Sequence, residues 1–246
     1  MRRKQLVVWI VLGTVILSGS VSVLRAAALL IEQKESSNHP HVTVTLLGFS
    51  KQKNMAVLQE QTPAGRDNKG TFRQLNIINI VTDKTIVHAE AVIGPEDPRA
   101  DQRFEELLQN DLADRNIFPV HDVKLEKFPA MIGHETFSVE IGPSKTLPDG
   151  TTSHLQDGFE TGAGSLEYKV YFKSDLKGSK VIGFMRSVPP STGQNPISPP
   201  VLLGYVHDPY ADRVVVVLEQ EVTGGDAWTT PIYRFMGARL DRRFSK

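Results

Sequence analysis

Leu166-Glu167-Tyr168-Lys169-Val170-Tyr171-Phe172-Lys173 decides the fold class of this chain. Leu166, Tyr168, Val170 and Phe172 alternate with Glu167, Lys169 and Lys173. Successive side chains of a strand point to opposite faces, so this period of two marks a strand with one wet and one buried face. The same period recurs upstream. Phe137, Val139 and Ile141 alternate, and Val42, Val44 and Leu46 alternate with Thr43 and Thr45. Downstream, Val214 to Leu218 is a continuous, mostly β-branched run, the pattern of a central strand buried on both faces. Turn clusters fall between such runs at Pro63-Ala64-Gly65, Pro148-Asp149-Gly150 and Gly224-Gly225. The chain therefore reads as mainly β: antiparallel meandering sheets, arranged as a sandwich or a partial propeller.

One α-helix interrupts the strands, near residues 98–115. Asp97 is placed to cap it, and Pro98 suits a first helical position. Phe104, Leu107, Leu108 and Leu112 then recur at helical spacing and form one apolar stripe. Pro119 requires the helix to end before it. The stripe predicts a helix covering a face or an edge of a sheet.

An internal echo joins two distant hairpins. Leu46-Leu47-Gly48-Phe49 leads through a polar turn into Ala56-Val57-Leu58-Gln59-Glu60. Leu202-Leu203-Gly204-Tyr205 leads through a turn into Val216-Val217-Leu218-Glu219-Gln220. A further strand candidate follows each, Leu75 to Val81 and Ile232 to Leu240. Strand, turn, strand, loop, strand is the order of a meander and of a propeller blade. Two such units do not close a propeller.

The first of these units, with Leu47-Gly48-Phe49-Ser50, Met55-Ala56-Val57-Leu58 and Leu75 to Asp83, resembles a bacterial family of predicted secreted proteins of unknown function, of the domain-of-unknown-function 2259 type. More loosely it resembles the blade repeats of periplasmic, Tol-associated propellers. Those repeats carry an Asp-Gly turn where this chain has Lys51-Gln52-Lys53-Asn54, and an aromatic second strand where this one is aliphatic. The resemblance implies an exported β protein and transfers no catalytic residue.

The N-terminus points the same way. Arg2, Arg3 and Lys4 precede an uncharged apolar run from Leu6 to Leu17, and Ala26-Ala27-Ala28 supplies a small-residue cleavage site. This is the layout of a secretory signal peptide over residues 1–28. If the segment continues through Ser18-Gly19-Ser20 to Leu24, it approaches the ~20 residues of a membrane span, so an uncleaved anchor is the rival reading. Arg2-Arg3 lacks the flanking residues of a twin-arginine signal, and without cysteine no lipid anchor forms there. Residues 29–40 read as a flexible start and 41–246 as a single β-rich domain. The expected location is extracytoplasmic, periplasmic or secreted, with the membrane touched only through the N-terminal segment.

Composition narrows the chemistry. There is no cysteine, hence no disulfide, thiolate metal site or cysteine nucleophile. Basic and acidic residues number 28 each. A cut after Ala28 removes Arg2, Arg3, Lys4 and Arg25 and no acid, leaving 24 basic residues against 28. A slightly acidic chain lacks the electrostatic footprint of a nucleic-acid binder. The basic tail, Arg239, Arg242, Arg243 and Lys246, reads as solvated.

Catalytic motifs are incomplete. Ser50-Lys51-Gln52-Lys53 has the letters of a serine acyl-enzyme motif, but Ser50 falls in a hairpin turn. Ser174-Asp175 continues into Leu176, and Gly142 to Thr146 lacks phosphate-loop spacing. His39, His41, His88, His121, His134, His154 and His207 form no metal-ligand pattern, and Asp149, Asp157 and Glu160 match no calcium loop. No cofactor or metal is expected. The turn His207-Asp208-Pro209-Tyr210-Ala211-Asp212-Arg213 gathers acid, base and aromatic ahead of a buried strand. His207, Asp208, Tyr210 and Asp212 are therefore the candidate binding residues. Two long segments, the proline-rich loop 188–200 and the polar loop 149–164, are where recognition would concentrate. Together these features predict a non-catalytic envelope protein that binds a protein or another envelope component. The alternatives are a hydrolase assembled in space from His134, His207, Asp208 and Asp212, and an assembly factor held by an uncleaved anchor.

Overall fold

The computed structural model describes residues 27–35, 39–62, 70–146, 165–189, 195–223, 229–241 and 243–245. Among them are twelve strands and one helix. A five-stranded sheet runs in chain order through β1 (Ala28–Gln33), β2 (His41–Phe49), β3 (Asn54–Thr62), β4 (Thr71–Asn79) and β5 (Lys84–Ile93). The helix α1 (Ala100–Asp114) follows. A four-stranded sheet then takes β6 (Ala130–Ile132), β7 (Glu135–Thr146), β8 (Leu166–Ser174) and β9 (Gly178–Ser187). A three-stranded sheet closes the chain with β10 (Val201–His207), β11 (Arg213–Thr223) and β12 (Thr229–Arg239). All pairings between these strands are antiparallel. The fold class is the one the alternation predicts: mainly β, with antiparallel meanders and one covering helix.

The sheets stack, and the last one in the chain lies in the middle. Val215, Val217 and Phe235 of the three-stranded sheet pack on Val44, Leu46, Phe49 and Val57 of the five-stranded one. Val214, Val216, Leu218 and Met236, from its other face, pack on Phe137, Val170, Phe172 and Met185 of the four-stranded sheet. Val214 to Leu218 are fully buried for this reason. A strand with a core on each side has no wet face, and its sequence shows no alternation. The outer face of the five-stranded sheet, with Leu47, Leu58, Leu75 and Ile77, is covered by Phe104, Leu108 and Leu112 of α1.

Three local expectations are corrected. The start expected to be flexible contains β1, which pairs with β2 from Ala28↔Leu46 to Gln33↔Val42. The helix begins at Ala100, after the predicted Asp97-Pro98 start, and Arg99 at its cap makes no side-chain cap bond. Asp97 instead accepts from Arg99 N at 3.2 Å and Ala100 N at 3.0 Å, closing a turn before the helix. Leu107 is exposed, so the buried stripe consists of Phe104, Leu108 and Leu112 with Ala100. The clusters at 63–65, 148–150 and 224–225 lie outside the described residues.

The two echoing hairpins share a physical device. Both β2 and β10 have a register shift at the glycine, between Leu46 and Gly48 and between Leu202 and Gly204. In each case a crossing backbone occupies the space a side chain would need. A Cβ on Gly48 would lie 2.1 Å from the Phe118 carbonyl oxygen, and one on Gly204 would lie 2.1 Å from that of Glu126. The connector after α1 runs across both sheets. It bridges Phe118 to Phe49, buries Val120 in the core between them, and bridges Glu126 to Tyr205. Strand pairing sets the equivalence one residue away from the sequence match, because Leu46 faces Val57 while Leu202 faces Leu218. Equivalent faces point the same way along the stack, as between successive propeller blades. The sheets are not closed into a barrel.

Candidate functional site

The β10–β11 turn is built around two buried charges. Asp208 is 1% exposed, and its carboxylate accepts from Tyr210 N at 2.9 Å. This is an Asx turn, in which a short side chain mimics a backbone acceptor. Arg213, 4% exposed, donates from Nη1 to the Ile80 carbonyl at 2.8 Å, reaching the β4–β5 turn of the neighbouring sheet. Asp83 of that turn accepts from Gly237 N at 2.9 Å. Burial pushes the Asp208 and Asp83 carboxyls above the usual range, against the pull of Arg213. Burial likewise lowers the Arg213 guanidinium. The cluster pins the five-stranded sheet to the central one.

The candidate residues therefore divide. Asp208 is committed to the turn and offers nothing to a ligand. His207, Tyr210 and Asp212 are exposed. Tyr210 meets Phe118 edge-on, with ring centroids 6.3 Å apart and planes at 68°. Both residues are exposed to a little under half of their surface, a surface pair that the sequence did not bring to notice because Phe118 lies some ninety residues away. His134 sits in the turn between β6 and β7, on a different sheet. No hydrogen bond joins it to His207, Asp208 or Asp212 among the described residues. Nor do three of His, Asp and Glu gather there as a metal site. His154, Asp149, Asp157 and Glu160 lie outside the described residues.

The serine motifs are turn chemistry. Ser50 is buried, and its hydroxyl accepts from Asn54 N at 3.1 Å. Ser174 accepts from Leu176 N at 3.1 Å and Lys177 N at 2.9 Å and donates to Glu135. Gly142 to Thr146 lies inside β7. In the basic tail Arg239 is forked onto Asp241 at 2.9 and 2.8 Å, and Arg242 and Lys246 lie outside the described residues.

The opposite end of the stack holds a groove of about 340 Å³ against the proline-rich segment. Val188, Pro189, Pro196, Ile197 and Pro199 line it together with Leu166. Its walls are fixed. Ile197 bridges to Val222, Ser198 N donates to the Glu221 carbonyl at 2.8 Å, and Glu221 N donates to Ser198 Oγ at 2.7 Å. Gln220 Nε2 donates to the Arg186 and Ser198 carbonyls, both at 2.8 Å. Pro190 lies outside the described residues. Three further polar groups lie near this end, of which the sequence singled out neither Tyr233 nor Glu219. The Tyr233 hydroxyl and His39 Nδ1 are buried atoms with no hydrogen-bond partner. Burial, then Glu221, raises the Glu219 carboxyl, while His39 opposes the rise.

No family model, no curated protein and no solved structure matches this chain.

Proposed function

We propose that this chain is an exported binding module of a bacterial cell envelope, which recognises a protein or another envelope component through the loop end of its sheet stack. The observation that carries this reading is the groove lined by Val188, Pro189, Pro196, Ile197 and Pro199. Proline-rich walls lose little conformational freedom on binding, so an extended partner meets a surface already ordered. The unpartnered Tyr233 hydroxyl and His39 Nδ1 add polar groups near the same end. The export half of the reading rests on the N-terminal basic head, apolar run and small-residue site.

A photo-crosslinking residue placed at Pro199 of the full chain, expressed in envelope-bearing bacteria, tests it. The expected result is one discrete adduct, competed away by unlabelled chain and absent when the probe replaces Val92 on β5. Adducts of equal yield from both positions, or none from Pro199, would overturn the groove as the binding surface.

A further inference from the structure

The direction of β1 places the start of the described chain at one end of the sheet stack. Ala28 opens β1 opposite Leu46, near the C-terminal end of β2. Read as an uncleaved anchor, the apolar segment continues to Leu24, so only Arg25, Ala26 and Ala27 separate it from the sheet. Three extended residues reach about 10 Å. Ala27 itself packs against the cluster around Leu47 and Leu58. A cut after Ala28 would strip that contact and leave a charged amino group at Leu29, opposite Thr45.

The turns joining β2–β3, β4–β5, β6–β7, β8–β9 and β10–β11 all lie at this same end. Hydrogen bonds join them across the stack. Ile80 N donates to the Lys53 carbonyl at 2.9 Å, Arg213 reaches Ile80, Leu240 N donates to Asp212 at 3.1 Å, and Lys177 reaches the Leu240 carbonyl at 2.8 Å. This end carries Met131 and Leu176, the most exposed large apolar residues described, at 78% and 64%. Leu29, Val81, Phe118 and Tyr210 are also exposed at this end, on other segments of the stack. Lys51, Lys53 and Lys84 stand exposed among these turns. Two of the turn acids face inward, Asp83 onto Gly237 N and Asp208 onto Tyr210 N, while Asp175 and Asp212 remain at the surface.

We infer that the turn end of the stack is a bilayer-facing surface, seated on the leaflet into which the N-terminal apolar segment inserts. Apolar tips with an aromatic pair suit the interface between headgroup and acyl chain, and lysines among them suit anionic headgroups. The occupant is a lipid surface because β1 begins at this end and the sequence just before it holds the chain's own apolar segment. The inference rests on the export reading in its uncleaved form, the N-terminal segment retained as an anchor, and leaves the groove, at the opposite end, free for a partner.

Because the chain has no cysteine, single-site labelling is clean. Full-length chain is placed in nanodiscs of phosphatidylethanolamine and phosphatidylglycerol, with a fluorophore on Val81→Cys, Leu176→Cys or Tyr210→Cys. Val92→Cys and Val201→Cys, on the β5 edge sheet and at the loop end, are the controls. A lipid-borne quencher is expected to quench the three turn positions at least threefold more than the controls. In a Tyr210→Cys chain, Met131→Ser with Leu176→Ser is expected to halve that quenching while thermal unfolding stays cooperative. Equal quenching at turn and control positions would overturn the bilayer-facing surface and leave the groove reading standing. Loss of the Pro199 adduct with turn quenching retained would overturn the groove alone.

Discussion

The Asp208 carboxylate closes the β10–β11 turn by accepting from Tyr210 N at 2.9 Å. Asp-Pro ahead of a buried strand signals a turn from local chemistry alone. Its burial depends on Arg213 turning toward Ile80, a carbonyl more than a hundred residues away that no local pattern reveals. Removing Asp208 would disturb an Asx turn and a buried charge cluster together, so loss of function on its substitution would report folding, not recognition. Glu219 gives a cleaner reading at this scale. Burial and Glu221 raise its carboxyl above the ordinary value of 4.5, so the folded chain holds this proton longer than the unfolded chain does. Stability from this group is complete below pH 4.5 and falls as pH rises through the folded-state value. Glu219→Gln removes the charged form. Its melting temperature is expected to exceed that of the parent by about 1–3 °C at pH 7 and to match it at pH 3.5. A lower melting temperature at pH 7 would show that the carboxylate, once charged, is stabilised by His39 more than burial penalises it.

At the scale of elements, alternation made β7, β8 and the Val42–Leu46 part of β2 readable, because each has one face on a core, while β12 was readable only as the last strand of the echoing unit. β1 escaped because its short sequence acquires meaning only when paired with β2. The helix was readable from its stripe, but its start was not, because Asp97 serves the preceding turn. What fixes α1 to the sheet is Arg73 of β4, nearly buried beneath it. Its guanidinium lies 2.9 Å from Glu60, 2.7 Å from Asp101 and 2.9 Å from Glu105, and 4.9 Å from the Phe104 ring centroid. An arginine among carboxylates on an otherwise apolar interface orients the helix as well as holding it. Arg73→Ala leaves Glu60 and Glu105 without their cation. The expected loss is about 2–3 kcal/mol, below the roughly 3–5 kcal/mol of a fully buried broken pair, because Asp101 and Glu60 keep access to water. Chemical denaturation measures that loss, and amide exchange should show α1 opening ahead of the sheets. A loss below about 0.5 kcal/mol would show that Phe104, Leu108 and Leu112 hold the helix unaided.

Across the whole molecule, the sequence order of the sheets differs from their order in space. The last sheet inserts between the first two, and only the unalternating run Val214 to Leu218 hinted at this. The run showed a strand covered on both faces without naming what covers it. The site suffered the same limit. Phe118, Met131, Leu176 and Tyr210 belong to separate segments, and their common end emerges only from strand directions. The central position of β11 carries a kinetic consequence. Its amides are laddered to β10 on one side and β12 on the other, and its side chains enter two cores. Opening it requires both cores to separate, which is global unfolding. Among the described residues β5 pairs only with β4, and it is wet along much of its length, so it opens by local fraying. Hydrogen exchange is therefore expected to be slowest at Val214–Leu218, with protection equal to the free energy of cooperative unfolding, and orders of magnitude faster along β5. Exchange at Val214–Leu218 as fast as in β5 would mean that the three sheets part without unfolding. The stack would then be three loosely joined layers instead of one cooperative body spanning from its turn end to its groove.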